Sequence, residues 1–290
     1  MLHKEVNAVS TEGDASAVAR ATCAEIARQR DPDRHLCAMF LPPEVRAAAF
    51  VLIAFNYELS RATVLPVSAP VTGPMAGLIR LQWWRDIITA PDRATQARHD
   101  VATAVAALLR DGRVAAESLL SVVDARETEL CRVPDWAAWR QMMLDGPGMM
   151  QRMVAQMLGE DDGPALDAVA QAGAAFAAGG LLRHLPEVLR SGRMPLPQEM
   201  LTAVGLDPDA EPSALSEGDR PERVTARLRQ EGQSLLPVPG AVRSRSARLA
   251  MLPGVLAARD LRRGPMMAGA VRGIGDRLAV AAAGLMNGRA

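Results

Sequence analysis

Metal-assisted chemistry on a helical chain needs oxygen or imidazole ligands at one-turn spacing, so the titratable residues come first. The four histidines, His3, His35, His99 and His184, are far apart, and none has a partner three to five positions on. Carboxylates at i and i+4 on facing helices are the means by which helical enzymes hold Mg²⁺ against a substrate diphosphate. Among the 33 acids only Asp207 and Glu211 have that spacing, and Pro208 and Pro212 place them in a linker. Asp124 and Glu127, with Glu129 close by, form the best helical cluster. Arg126 between them points to a solvated ion-pairing face instead of a ligand site. Nucleophile elbows, phosphate loops and dinucleotide fingerprints are absent, and the pairs in Gly146-Pro147-Gly148 and Gly273-Ile274-Gly275 read as turns.

The elements that must position any site are helices. With 49% hydrophobic residues over 290 positions the chain buries a full core, and helical periodicity runs from end to end with no period-2 strands. The pattern predicts an all-α fold with helices over residues 15–30, 44–61, 75–89, 100–110, 115–132, 136–158 and 164–185. The sixth is interrupted at Gly146-Pro147-Gly148, and residues 170–180 of the last are nearly all Ala and Gly, which lets a neighbour approach closely. One helical domain is expected over 15–265, with a flexible N-terminus over 1–14. Within it lies a linker over 207–221 carrying three prolines and five acids. An Arg-rich tail follows over 266–290.

Charge balances at 33 to 33, but unevenly: residues 220–290 carry 13 Arg against 4 acids, so +9 there faces −9 on residues 1–219. The balanced total and 3% aromatic content argue against a nucleic-acid partner. Cys23, Cys37 and Cys131 form an odd set without CxxC spacing, as in a reduced protein. The stretch MLHKEVNAVSTEGD lacks a secretory signal's apolar run, and the longest apolar run, 47–55, is too short to span a bilayer. The expected location is the cytoplasm, including the inner face of the membrane.

Four stretches together carry a family resemblance: Asp33-Arg34-His35-Leu36 to Leu41-Pro42; Ala54-Phe55-Asn56-Tyr57-Glu58-Leu59; Ile79-Arg80-Leu81-Gln82-Trp83-Trp84-Arg85-Asp86; and Leu181-Leu182-Arg183 to Gly192-Arg193 and Leu196-Pro197. Over roughly residues 20–265 the chain resembles the squalene/phytoene synthase family. The resemblance implies a terpenoid-synthase-like bundle around a central cavity, where members join two prenyl diphosphates using two aspartate motifs and Mg²⁺. Anchored on Phe55, the first motif's aspartates fall on Ser60 and Val64. Anchored on Arg183 and Gly192-Arg193, the second motif's outer aspartates fall on His184 and Val188, and only Glu187 survives between them. The family's Ser-Phe diphosphate contact aligns with Asp33-Arg34.

The Ala-Phe-Asn-x-Glu-Leu form is similar instead to a divergent branch that includes a mitochondrial complex I assembly factor. That likeness implies a binding or assembly protein with its metal site dismantled, needing no cofactor and serving a respiratory-complex subunit. The enzyme alternative is a head-to-head prenyl transferase with an atypical Mg²⁺ site built on Glu58 and Glu187. Candidates for binding a ligand or anion are Asn56, Glu58, Arg61, Arg80, Arg85, Arg183, Glu187 and Arg193. Glu58 is expected to pair with Arg80, Arg85 or Arg183, and Arg183 and Arg193 either bind an anion or bridge helices. Of Trp83 and Trp84, one is expected in the core and one at a groove. The methionines at 142, 143, 149, 150, 153 and 157 are expected in the core or lining a cavity that suits a prenyl or lipid-like ligand. Residues 243–277, with Leu249, Met251, Leu252, Leu256 and Met266-Met267, are expected to form a basic amphipathic surface for membrane lipid or an acidic partner.

Overall fold

A computed structural model of the protein describes residues 2–63, 74–264 and 271–288, with side chains from residue 16 to 287. Among the described residues there is no strand, as the periodicity requires. Helix α1 (Leu2–Arg30) begins well ahead of position 15 and ends where Asp31 caps α2 (Pro32–Ala38), its carboxylate accepting from the Arg34 amide at 3.0 Å. Pro43 opens α3 (Pro43–Ser60), whose Val51, Leu52, Ala54, Phe55 and Leu59 are almost wholly buried. Val64, one motif position, lies outside the described residues, as do Met266 and Met267.

Helix α4 (Met75–Thr89) brings Trp84 into the core edge-on to Phe55, ring centres 5.0 Å apart, while Trp83 stays partly exposed beside His99. After α5 (Ala94–Ala97) come α6 (Asp100–Arg110) and α7 (Ala116–Leu130). The sixth expected helix is continuous where a turn was expected. Between α8 (Trp136–Met143) and α9 (Met149–Met157), the segment Leu144–Gly148 stays helical but wider, as a π turn around Pro147. Met142, Met143, Met150 and Met153 are buried.

Helix α10 (Gly163–Arg190) is the central column, capped by Asp162 and buried on most faces. It is long and apolar enough to cross a membrane, but 72% of its apolar window is inside the protein, as a core helix requires. Gly173 explains its small-residue stretch: a Cβ there would sit 2.6 Å from the Pro147 carbonyl of the π turn. Pro186 cannot continue the hydrogen-bond ladder, and the helix kinks at His184, at φ −110° and ψ 17°.

After α11 (Gln198–Ala203), the acidic linker is docked on the body: Pro212–Ser216 forms a 3₁₀ turn with Leu215 buried, leading into α12 (Arg220–Ser234). Two further helices, α13 (Arg245–Ala250) and α14 (Leu252–Arg263), carry Leu249, Leu252 and Leu256 inward. These residues belong to the core and do not form the expected surface, because α14 packs along α10. Finally α15 (Ile274–Gly288) lies against α14, α13 and α2.

Candidate functional site

The bundle surrounds a partly open cavity of about 1030 Å³, at the upper end for a ligand site. One wall is apolar, with Met142, Met143, Phe176, Leu181 and Val188. The cavity's charge is mostly guanidinium: eight arginines, among them Arg34, Arg126, Arg183, Arg193 and Arg272, line it against three carboxylates, Asp31, Asp33 and Glu129.

Each of those carboxylates is already paired. Asp31 takes Arg34 Nη1 at 2.7 Å, and the Arg34 guanidinium also lies 4.6 Å over the Phe176 ring. Arg34 is 8% exposed and its buried Nε has no hydrogen-bond partner. Glu129 is shared: Arg126 Nη1 donates to it at 2.9 Å and Arg193 Nε at 2.9 Å, while Arg126 Nη2 reaches Asn56 Oδ1 at 2.8 Å. Burial pushes the Glu129 carboxyl up, but Arg193 and Arg126 outweigh it and hold it below the usual range. Asp33 accepts from Arg272 Nε at 2.5 Å, yet burial wins over that pull and raises its carboxyl. Arg272 also grips Asp260 through two bonds of 2.8 and 2.6 Å, and Arg183 stands 4.0 Å from Asp260.

The fold brings together three of the four motif positions. Ser60, His184 and Val188 all line the cavity, and Val64 lies outside the described residues. Ser60 spends its hydroxyl on the Tyr57 carbonyl at 2.7 Å. Burial, then Arg183, holds the His184 imidazole below its ordinary value. Of the candidates, Asn56, Arg183 and Arg193 are at the cavity, and the other five are not among its lining residues. Glu58 pairs with Arg61 at 3.3 Å and stands 3.9 Å from His99, which corrects the expected pairing with Arg80, Arg85 or Arg183. The reason is the helix surface: Arg61 is three residues on, and Arg80 and Arg85 belong to other contacts. Arg80 donates to the Arg61 carbonyl at 2.9 Å, and Arg85 pairs with Asp124 at 2.7 Å and with Glu127. Glu187 pairs with Arg190 at 3.6 Å.

Sequence reasoning misplaced Arg126 and Glu129, reading them as part of a solvated face. Only Asp124 and Glu127 belong to one. The signal was present: Leu119, Val122, Arg126 and Glu129 repeat at three- and four-residue spacing, the stripe that α7 turns inward.

A Mg²⁺–diphosphate centre does not fit this donor set. A hard cation wants several oxygen ligands, but the motif positions offer a self-bonded serine, a histidine and a valine. The acids at hand are held by guanidinium groups. Among the described residues no three of His, Cys, Asp and Glu gather as a metal-holding group. The arrangement suits a different ligand chemistry: a negative head against arginines and an apolar body against the methionine wall.

Comparison with known proteins agrees with the architecture. Squalene synthase HpnC from Alicyclobacillus acidocaldarius superposes with a TM-score of 0.60 at 16% identity, covering 87% of this chain and 97% of that one. A dehydrosqualene synthase in complex with ligand superposes at 0.66 and 12% identity, covering 95% and 98%. At these identities the likeness shows the fold. In sequence, the Bos taurus NADH dehydrogenase (ubiquinone) complex I, assembly factor 6 is 31% identical over 108 residues, 37% of this chain. That match spans about a third of the bovine protein's length, 31%. The squalene/phytoene synthase family model matches residues 27–283, nearly the whole bundle. The chain therefore belongs to the squalene/phytoene synthase family.

Proposed function

We propose that the protein is a non-catalytic member of its family: an assembly factor, for respiratory complex I, that holds a prenyl or lipid-like anion in its cavity without metal or other cofactor. The observation that carries this reading is the inverted charge of the cavity, eight arginines against three carboxylates that are themselves paired. Guanidinium groups bind phosphate or carboxylate directly through paired donors, so no bridging cation is needed. The complex I partner is drawn from the relatives known as complex I assembly factor 6. In this reading the protein works in the cytoplasm at the inner face of the membrane.

The alternative, a prenyl transferase, has less support, because Glu58 and Glu187 do not line the cavity. Calorimetry with farnesyl diphosphate in excess EDTA tests the choice. Binding that persists without Mg²⁺ and weakens roughly tenfold or more in Arg193→Met is expected. Pyrophosphate release on adding Mg²⁺, or binding that requires Mg²⁺, would overturn the reading. Gene deletion should lower complex I activity and leave isoprenoid profiles intact; an unchanged respiratory chain would sink the partner assignment.

A further inference from the structure

Helix α15 has two unlike faces. Inward, Asp276 and Val280 are buried, and Gly284 lets the Phe40 ring of the α2–α3 turn approach: a Cβ there would lie 2.5 Å from Phe40 Cδ1. Its far end is held by Arg245 and Arg248, whose Nε atoms donate to Asn287 at 2.9 and 3.1 Å. Outward stand Ile274, Leu278, Leu285 and Met286, 55–77% exposed, and Val271 just before the helix is 76% exposed. Positions 274, 278 and 285 share one face by helical spacing. Exposed large apolar residues scattered singly need no explanation, but here five of the ten in the described chain fall within sixteen consecutive positions.

The charge around this stripe is one-sided. Arg243, Arg245, Arg248, Arg262, Arg263 and Arg277 are exposed. The acids of the same stretch, Asp260 and Asp276, are 2% exposed and taken up by Arg272, Arg259 and Arg263. From 243 to 287 the described surface therefore shows arginine and aliphatic side chains and no exposed carboxylate.

We propose that α15 is an interfacial helix that seats the protein on an anionic lipid bilayer, its apolar face in the headgroup boundary and the arginines on lipid phosphates. Aliphatic residues at helical spacing beside exposed arginines are the composition of such helices. The position adds a second argument. Val271 and Arg277 also line the cavity, so the docked face sets the cavity mouth against the bilayer. The seat itself does not depend on the cavity holding a ligand.

Flotation of the full chain tests this without any cavity ligand, using phosphatidylcholine vesicles with and without phosphatidylglycerol at about 30 mol%. The protein should float with the anionic vesicles, less so as salt rises, and stay behind with phosphatidylcholine alone. The double variant Leu278→Ser, Leu285→Ser should lose roughly tenfold or more in vesicle affinity, while Met75→Ser, Ile79→Ser, equally exposed on α4, should bind as the parent does. Circular dichroism shows that each variant is folded. No flotation with anionic vesicles, or equal flotation of the α15 variant, would overturn the proposal. So would a parent chain that dimerises through this face, with the α15 variant monomeric and neither bound to vesicles.

Discussion

Arg193 places both Nε and Nη2 on one carboxylate oxygen of Glu129, at 2.9 and 2.5 Å, leaving the other oxygen to Arg126. One buried acid thus pairs with two guanidinium groups at the cavity wall and offsets one of their two charges. Glu129→Gln keeps the shape and removes the charge. Breaking a buried pair costs about 3 to 5 kcal/mol, and the lower end is expected because Arg193 keeps a fifth of its side chain exposed. A urea midpoint unchanged by the substitution would show that the arginines are solvated.

Two glycines of α10 should respond oppositely to alanine. At Gly173 the new methyl meets the Pro147 carbonyl at 2.6 Å and Gln151 Cβ at 2.9 Å, neither able to yield freely. Overpacking of about 1–3 kcal/mol should exceed the helix-propensity gain of about 1 kcal/mol. At Gly180 nothing lies within 4 Å, so Gly180→Ala should stabilise by up to about 1 kcal/mol. Thermal unfolding of the two variants in parallel gives the sign of each.

His184 makes stability depend on pH. Its folded value lies below the 6.5 of the unfolded chain, first through burial and then through Arg183. Between the two values the unfolded chain holds more protons, so stability is in place above about 6.5 and is lost as pH falls toward the folded value. His35, lowered by burial and Arg28, adds the same sign. Asp33, raised chiefly by burial, works against them at lower pH. Urea midpoints should fall from about pH 7 to 5, and His184→Asn should flatten that fall. An unaltered slope would mean the imidazole is not the titrating group.

Arg272 fastens α15 to the body through Asp33, Asp260 and Asp276. Lysine carries the same charge without the planar fork, so Arg272→Lys cannot hold Asp260 bidentately and Asp33 together. A loss of about 3 kcal/mol is expected, with amide exchange in α15 rising first. Exchange confined to α1 instead would contradict this role.

Much of this molecule was legible in its residues. Helical periodicity located most of the helices, since a stripe of apolar side chains at 3.6-residue spacing has few other solutions. That the family's motif aspartates, aligned by resemblance, fall on Ser60 and Val64 and on His184 and Val188 was a reading of residue type alone, which needs no backbone. The 13-to-4 charge split of residues 220–290 was countable as well.

What sequence left open was which charges meet. The cavity takes its arginines from positions 28 to 277, brought together by packing across the whole bundle, and no local spacing announces such a set. Three of the four acids of the C-terminal stretch, Glu231, Asp260 and Asp276, are buried by tertiary contact, which turns a balance of +9 into a surface of exposed arginine. The same packing drew Leu249, Leu252 and Leu256 inward and left Ile274, Leu278 and Leu285 outside. All six are apolar residues on helices, and only the neighbour each helix found decided which of them meet water.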